Sequence, residues 1–206
     1  MGQDSRLAFD NKLLTSLLRA RDPGQFASEP LAPGAIAAEV TIDPTALVAL
    51  VQAAAASVCG LGSGDVKQAI SPVLWREGDS ELLLGPAFVS TRLADGIVAF
   101  TLPVICDQAG STEVHVSFVV GSPKRPAGLI AATEERPRGP AAVVDVWGDR
   151  LTAFAWRVLL ELIRMIAAGS GRDQDGAPLV PVAMSASANG LTVVPMARHP
   201  FDRIAK

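Results

Sequence analysis

Histidine, cysteine and tyrosine are scarce in this chain, and their scarcity limits the chemistry open to it. The 206 residues include two histidines, two cysteines and no tyrosine. The histidines form no H-x-H or H-x-x-x-H pair and the cysteines no C-x-x-C pair, so the usual zinc-ligand spacings are missing. Neither glycine fingerprint for a bound nucleotide is present. We therefore expect no metal and no cofactor, and the composition favours a non-catalytic role.

Charged residues are few as well, and their sign argues against polyanionic partners. They make up 19% of the chain, and the formal net charge is −3. A nucleic-acid interface needs a dense cationic face, whereas the 18 lysines and arginines are scattered along the sequence. We expect neither nucleic acid nor a membrane surface as a partner. Residues 1–10 carry acids and no apolar run, so a signal peptide is not expected, and we predict a soluble, cytoplasmic protein.

Apolar residues, by contrast, are abundant. They make up 49% of the chain, and the mean hydropathy of +0.32 is high for a soluble protein. Either much of the chain is core, or a partner covers some apolar surface. The charge-free stretch 45–64 has an apolar part shorter than the roughly 20 residues that span a bilayer, so it predicts a buried helix. Cys59 and Cys106 are typical of reduced, buried small residues, and a disulfide between them is the alternative.

The N-terminal region predicts an amphipathic helix on a linker. Leu7, Leu14 and Leu18 form an apolar stripe at helical spacing within residues 5–21. A proline-containing stretch follows to residue 38 and indicates an extended linker. Such an arm can dock on its own domain or on a neighbouring subunit, and both possibilities stay open.

A second helix is predicted to begin at Pro44. Asp43 suits the N-cap, proline suits the first helical position, and Gly60 suits the position just past the end. Leu47, Val51 and Val58 lie on one face of this helix. Since the helix has no charged face, it should be covered on most sides. It is therefore either the central core helix or part of a subunit interface.

The middle of the chain changes to the two-residue period of strands. Glu81–Leu84 is a short strand, and Ile97–Ile105 and Thr112–Val120 should form a hairpin. Pro103 lacks an amide hydrogen, so its strand should lie at an edge or carry a bulge. Residues 129–133 and Val143–Trp147 are predicted as a further pair of strands.

The longest predicted helix covers Asp149–Ala168, with Asp149 as its N-cap. Its apolar residues nearly encircle it, and Trp156 and Leu160 are further interface candidates. A final hairpin joins 179–186 to 191–196, with Asn189-Gly190 expected in a type I′ turn. The stretch Asp173–Gly176 resembles part of a calcium loop but lacks the remaining ligands, so a turn is expected.

Together these elements predict an α+β fold. We expect a mainly antiparallel sheet of about five to seven strands, packed by two apolar helices and preceded by the N-terminal amphipathic helix. The corresponding division is 1–38 for the helix and linker, 39–198 for a single α+β domain, and 199–206 for a tail.

Two side chains are candidates for chemistry. Asp145 should share a strand face with Trp147, and partial desolvation there would raise its pKa and suit it to acid–base work. His115 lies on the polar face of its predicted strand. An ion-paired or solvated carboxylate and an exposed strand histidine are the alternatives.

Two functions follow as hypotheses. The first is a non-catalytic assembly or binding protein that forms homo-oligomers or belongs to a larger complex. The second is a small-molecule-binding protein or enzyme with a pocket between the sheet and the helix at 149–168. The lining of that pocket would include four aromatic residues, Phe100, Phe118, Trp147 and Trp156.

Overall fold

The computed structural model describes residues 30–61, 72–124, 127–128, 132–133 and 136–198. The predicted N-terminal helix with Leu7, Leu14 and Leu18 lies outside these residues, and so does the tail at 199–206. The division of the chain at residues 38 and 198 therefore stays a prediction.

The helix predicted from Pro44 is present as α1, Pro44–Val58. The Asp43 carboxylate accepts hydrogen bonds from the amides of Thr45 (2.7 Å) and Ala46 (2.8 Å), which satisfies two amides that the first turn leaves without a helical acceptor. Gly60 follows the helix with a φ of +73°, a conformation that favours glycine. The cap, the proline and the terminating glycine are confirmed.

The second helix, α2, is longer than predicted and covers Ala141–Ser170. The predicted strand at Val143–Trp147 is wrong, and so is the assignment of Asp149 as N-cap. The amides of Val143 and Val144 instead bond to the carbonyl of Pro140, at 2.9 and 3.0 Å. The physical reason lies in the period: Val143, Trp147 and Leu151 recur every four residues and are all buried. Among the described residues, no helix is long and apolar enough to cross a membrane.

One antiparallel sheet is built around a long central hairpin. Its strands are β2 (Val73–Glu77), β3 (Ser80–Leu84), β4 (Ser90–Ala94), β5 (Ile97–Cys106), β6 (Gly110–Val119) and β8 (Ala132–Thr133). The order is β2-β3-β5-β6-β8, with β4 also paired to β5. The predicted hairpin is confirmed as β5 and β6, and the predicted Glu81–Leu84 strand lies within β3.

Pro103 does not mark an edge, because β5 is a central strand. On one side β5 pairs with β6 along its whole length, and on the other it pairs first with β4 and then with β3. Pro103 lies where β4 has ended and β3 has not begun, and its carbonyl accepts a hydrogen bond from Gly85 at 3.2 Å. The N and C=O of a residue in an antiparallel strand face the same way. The nitrogen of Pro103 therefore faces the gap between β4 and β3, where no strand residue would accept a hydrogen bond from it.

A second antiparallel sheet has the order β1-β10-β9-β7. Its strands are β1 (Val40–Ile42), β7 (Ala127–Gly128), β9 (Val180–Ser187) and β10 (Gly190–Met196). The predicted final hairpin is confirmed as β9 and β10, with a register irregularity between Val194 and Pro195.

The turn of that hairpin differs from the prediction. Ser187 pairs with Gly190, so the two loop residues are Ala188 and Asn189. A type I′ turn needs positive φ at both, and no described residue other than glycine has positive φ. Gly190 is needed for another reason: a side chain there would collide with the main-chain carbonyl of Ile42. The glycine permits the close approach of β1.

The core lies between the helices and the inner faces of both sheets. The rings of Phe100 and Phe118 meet edge to face at 6.0 Å, and Trp156 packs on Phe118 at 5.6 Å. The α+β class with antiparallel pairing and two apolar helices is confirmed. The expectation of one sheet is wrong among the described residues, where the strands divide into two.

Candidate functional site

The two side chains predicted as candidates for chemistry are both on the surface. His115 is exposed on β6, where its Nδ1 lies 3.1 Å from the hydroxyl of Thr101. Asp145 is exposed on α2, so it shares no strand face with Trp147, and the expected desolvation is absent. Neither residue lines the groove described below.

The predicted interface residues have diverse environments. Leu47 and Val51 are 1% and 0% exposed within the single chain, so no partner can reach them without unfolding. Val58 and Trp156 are partly buried against the core. Leu160 is 36% exposed and is the most accessible described member of the set.

The space beneath α2 is filled by the aromatic residues that the sequence suggested as a pocket lining. Phe100, Phe118 and Trp147 are at most 2% exposed, and the ring of Trp156 packs against that of Phe118. These rings fill the space that the sequence assigned to a pocket. The described residues form a groove with α2 at the margin of the sheet instead.

Such a groove is present beside β2, with a volume of about 550 Å³. We call it the β2–α2 groove. The end of α1 closes one part of it, β2 forms one wall and α2 the other. Its lining residues are Val58, Cys59, Val73, Leu74, Trp75, Arg76, Arg150, Ala153, Phe154 and Arg157.

Aromatic packing holds the two walls in place. The ring of Trp75 on β2 meets the ring of Phe154 on α2 edge to face, with 5.8 Å between their centroids. The ring of Trp147 lies tilted against Trp75 at a centroid distance of 6.5 Å. Arg150 lies over the Trp147 ring, 5.7 Å from its centroid, in cation–π geometry. Edge-to-face pairs are worth about 0.5–1.5 kcal/mol beyond the area they bury. The position of β2 relative to α2 is therefore fixed by side chains that the groove partly exposes.

Three arginines line this groove, and no acid is present among its described lining residues. Arg76 pairs with Glu81 at 2.7 Å, and Arg150 lies 3.4 Å from Glu77. Both pairs are at least half exposed, so they are weak in water. The glutamates therefore balance part of the positive charge of Arg76 and Arg150.

Arg157 differs from the other two arginines. The neighbouring acid, Glu161, is held by Arg164 through two contacts of 2.6 and 2.7 Å and by the Ser57 hydroxyl at 3.1 Å. The hydrogen bond from Arg164 lowers the pKa of Glu161, against the opposing effect of burial. Within the described part of the chain, no carboxylate lies within 4.0 Å of Arg157.

Cys59 places a thiol in the same groove, but not an activated one. Burial raises its pKa to about 11, although the positive charge of Arg157 acts in the opposite direction. A nucleophilic cysteine needs a thiolate near neutral pH, and the raised pKa of Cys59 disfavours that form. Cys59 and Cys106 are both free, as the sequence indicated.

The loop after α2 is a turn, as expected. The buried Asp173 carboxylate accepts hydrogen bonds from the amides of Asp175 (3.0 Å) and Ala177 (2.8 Å), which closes the loop on itself. Within the described residues, no cluster of three His, Cys, Asp or Glu side chains is placed to hold a metal ion.

The sequence reasoning missed the groove because it missed β2. A signal was available: Val73-Leu74-Trp75 suits a strand, and Gly78-Asp79 between two strand-like runs suits a hairpin turn. The arginines gave no such signal. Arg76 is far in sequence from Arg150 and Arg157, and only the folded chain brings them to one groove.

Comparison with known proteins gave no match to a family model, to a curated protein or to a solved structure.

Proposed function

We propose that this chain is a non-catalytic binding protein that holds an anionic partner in the β2–α2 groove. One observation carries the proposal: the described residues that line the groove include three arginines and no acid, in a chain of net charge −3. The proposal joins the two hypotheses from the sequence, since the groove lies between a strand of the sheet and α2. The cytoplasm is the proposed compartment, because free thiols are typical of a reducing environment.

The chemistry of the lining favours carboxylates. A guanidinium presents a planar set of donors that matches a carboxylate in a two-point contact. Arg157 has these donors available, and the partners of Arg76 and Arg150 are exposed glutamates that a ligand acid can replace. Trp75 and Phe154 add apolar surface between the charges. A ligand with acids on an extended apolar framework complements both features.

Arg157→Gln tests this proposal. Binding of a short fluorescein-labelled oligoglutamate to the full chain is followed by fluorescence anisotropy at low and high salt. We expect salt-sensitive binding that Arg157→Gln weakens about tenfold, the effect of losing roughly one charge-assisted hydrogen bond. The control is Arg92→Gln, an exposed arginine on β4 outside the groove, which should bind like the parent. Absence of binding at low salt, or equal losses in both variants, would refute the proposal.

A thymidine oligonucleotide of equal charge is the comparison ligand. Scattered arginines bind phosphates weakly unless they form a continuous cationic face. We therefore expect the oligoglutamate to bind more tightly. If the oligonucleotide binds more tightly and Arg157→Gln abolishes its binding, the partner is a nucleic acid and not an acidic protein.

A second candidate function, self-association, has its own observation. On the outer face of the first sheet, Leu74 pairs with Leu83 and Leu83 with Ile105, which forms an apolar row across three strands. Leu74 is 43% and Ile105 50% exposed, and Phe88 is 65% exposed. Light scattering tests this idea: a mass above 21.4 kDa that returns to the monomer in Ile105→Lys would support it. A monomer at all concentrations would exclude it.

A further inference from the structure

The free edge of β2 runs along the β2–α2 groove, and its register shows which backbone groups face outward. β2 ends the first sheet, with no strand beyond it among the described residues. The turn Gly78-Asp79 is closed by the pair Glu77 and Ser80. In a two-residue hairpin this closing pair is hydrogen-bonded, and bonded and non-bonded pairs then alternate. The amides and carbonyls of Leu74 and Arg76 therefore point away from β3.

A side-chain contact independently supports this register. The Arg150 guanidinium donates to the main-chain carbonyl of Arg76 at 3.1 Å. That carbonyl is therefore not paired with β3, as the alternation requires. The edge of β2 is thus a set of backbone donors and acceptors aimed into the groove, and one acceptor is already used by an arginine side chain.

The opposite wall is shaped for a chain laid along this edge. The α2 residues that line the groove are Arg150, Ala153, Phe154 and Arg157, which share one face of the helix. The small Ala153 lies between the larger side chains. An added strand lies about 4.8 Å from its neighbour, and an exposed sheet edge can accept an extended peptide as an added strand.

We infer that the groove binds an acidic peptide segment of a partner protein as an extended strand that pairs with the free edge of β2. The inference rests on the proposed function and specifies its ligand. The peptide exchanges backbone hydrogen bonds with Leu74. When Arg150 turns to a peptide carboxylate, the Arg76 carbonyl is released to accept a peptide amide.

Charge spacing defines the peptide further. Arg150 and Arg157 are seven residues apart, or about 10.5 Å along α2 at the rise of an α-helix. Side chains on one face of a strand recur about every 6.7 Å, and both arginines are long. Acids at alternate positions therefore reach both guanidiniums. Apolar residues between them would face the side of β2 that carries the exposed Leu74.

The test uses the full chain and a synthetic peptide in which glutamate alternates with valine. Its partner peptide has the same side chains but N-methylated amides at alternate residues, which removes the backbone donors and keeps the charges. We expect each lost hydrogen bond to weaken binding about fivefold. Amide exchange measured by NMR should show Leu74 slowing at least tenfold on binding. Trp75, whose amide already faces β3, should not change.

The outcomes separate the inference from the proposed function. If both peptides bind equally and the Leu74 amide is unaffected, strand pairing is refuted while anion binding stands. If neither peptide binds, both ideas are refuted. If the Leu74 amide is already protected in the peptide-free protein, the edge is occupied by a second copy or by this chain, according to the mass from light scattering, and the inference fails.

Discussion

Replacing Gly190 by alanine tests the contact that fixes β1 against the second sheet. Gly190 has a φ of +153°, and a Cβ there would collide with the carbonyl of Ile42 at the end of β1. Backbone strain of this kind costs about 1–3 kcal/mol. Displacing β1 adds roughly the 1–3 kcal/mol of an overpacked core. We expect Gly190→Ala to lower the free energy of unfolding by about 2–6 kcal/mol.

Gly110 provides a matched control that separates the two contributions. Its φ is +63°, but a Cβ there would meet no atom within 4 Å. Gly110→Ala should therefore cost only the left-handed backbone penalty of about 1–2 kcal/mol. The difference between the two variants measures the steric contact between β10 and β1, free of the general penalty for replacing a glycine.

Urea unfolding followed by tryptophan fluorescence measures both variants. The stability of a natural domain is about 5–15 kcal/mol, so a loss of about 2–6 kcal/mol moves the urea midpoint well outside experimental error. Displacement of β1 would also expose Val40 and Ile42, which are 8% and 2% exposed in the native chain. If Gly190→Ala were no less stable than Gly110→Ala, the pairing of Ile42 with Leu191 would be refuted.

Three further predictions address the helices and the groove. Trp147→Ala should lower the free energy of unfolding by about 3–5 kcal/mol, because this side chain is buried in α2. Asp145→Ala should change it by no more than about 0.5 kcal/mol, because Asp145 is exposed on the same helix. Equal losses in urea unfolding would instead support the predicted strand at Val143–Trp147. Glu161→Gln should cost about 1 kcal/mol at neutral pH, discounted for the partly exposed Arg164. Because the folded pKa of Glu161 is lowered from 4.5, this stabilisation is present above the unfolded pKa and disappears as the pH falls through the folded pKa, so unfolding at acidic pH should no longer distinguish the variant from the parent. Cys59, with its pKa near 11 instead of 9.0, should react with iodoacetamide about a hundredfold more slowly than an exposed thiol at pH 8, and Arg157→Gln should slow it further; a fast reaction would contradict its burial.

Local rules predicted the elements whose signals are local. The cap at Asp43, the proline at Pro44 and the glycine at Gly60 act within one turn of α1, and the sequence alone located that helix. The hairpin of β5 and β6 followed from alternation and turn residues. These interactions form between neighbours in the chain, so they require no knowledge of the fold.

Elements that depend on distant contacts were not predictable in this way. Val143–Trp147 reads equally well at a period of two or of nearly four, and only its continuation from Pro140 into the long helix decides between them. Gly190 looked like a turn glycine, whereas β1 comes from the far end of the described chain to meet it. The strand of Pro103 was expected at an edge or with a bulge, yet it is central because two short strands share one side of β5. Each error arose where tertiary structure overrode a correct local rule.

The high apolar content that suggested an interface is largely explained by the core. The β2–α2 groove lies where the core no longer covers α2. α2 packs against α1 and against strands of both sheets, so nearly its whole circumference can be apolar without a partner. Arg150, Arg157 and Arg164 recur every seven residues on α2 and mark the stripe that this cover leaves open. Arg164 is held by Glu161 and Arg150 has a weak partner in Glu77. Arg157, the middle arginine, lines the β2–α2 groove, which is where we propose that a partner chain binds.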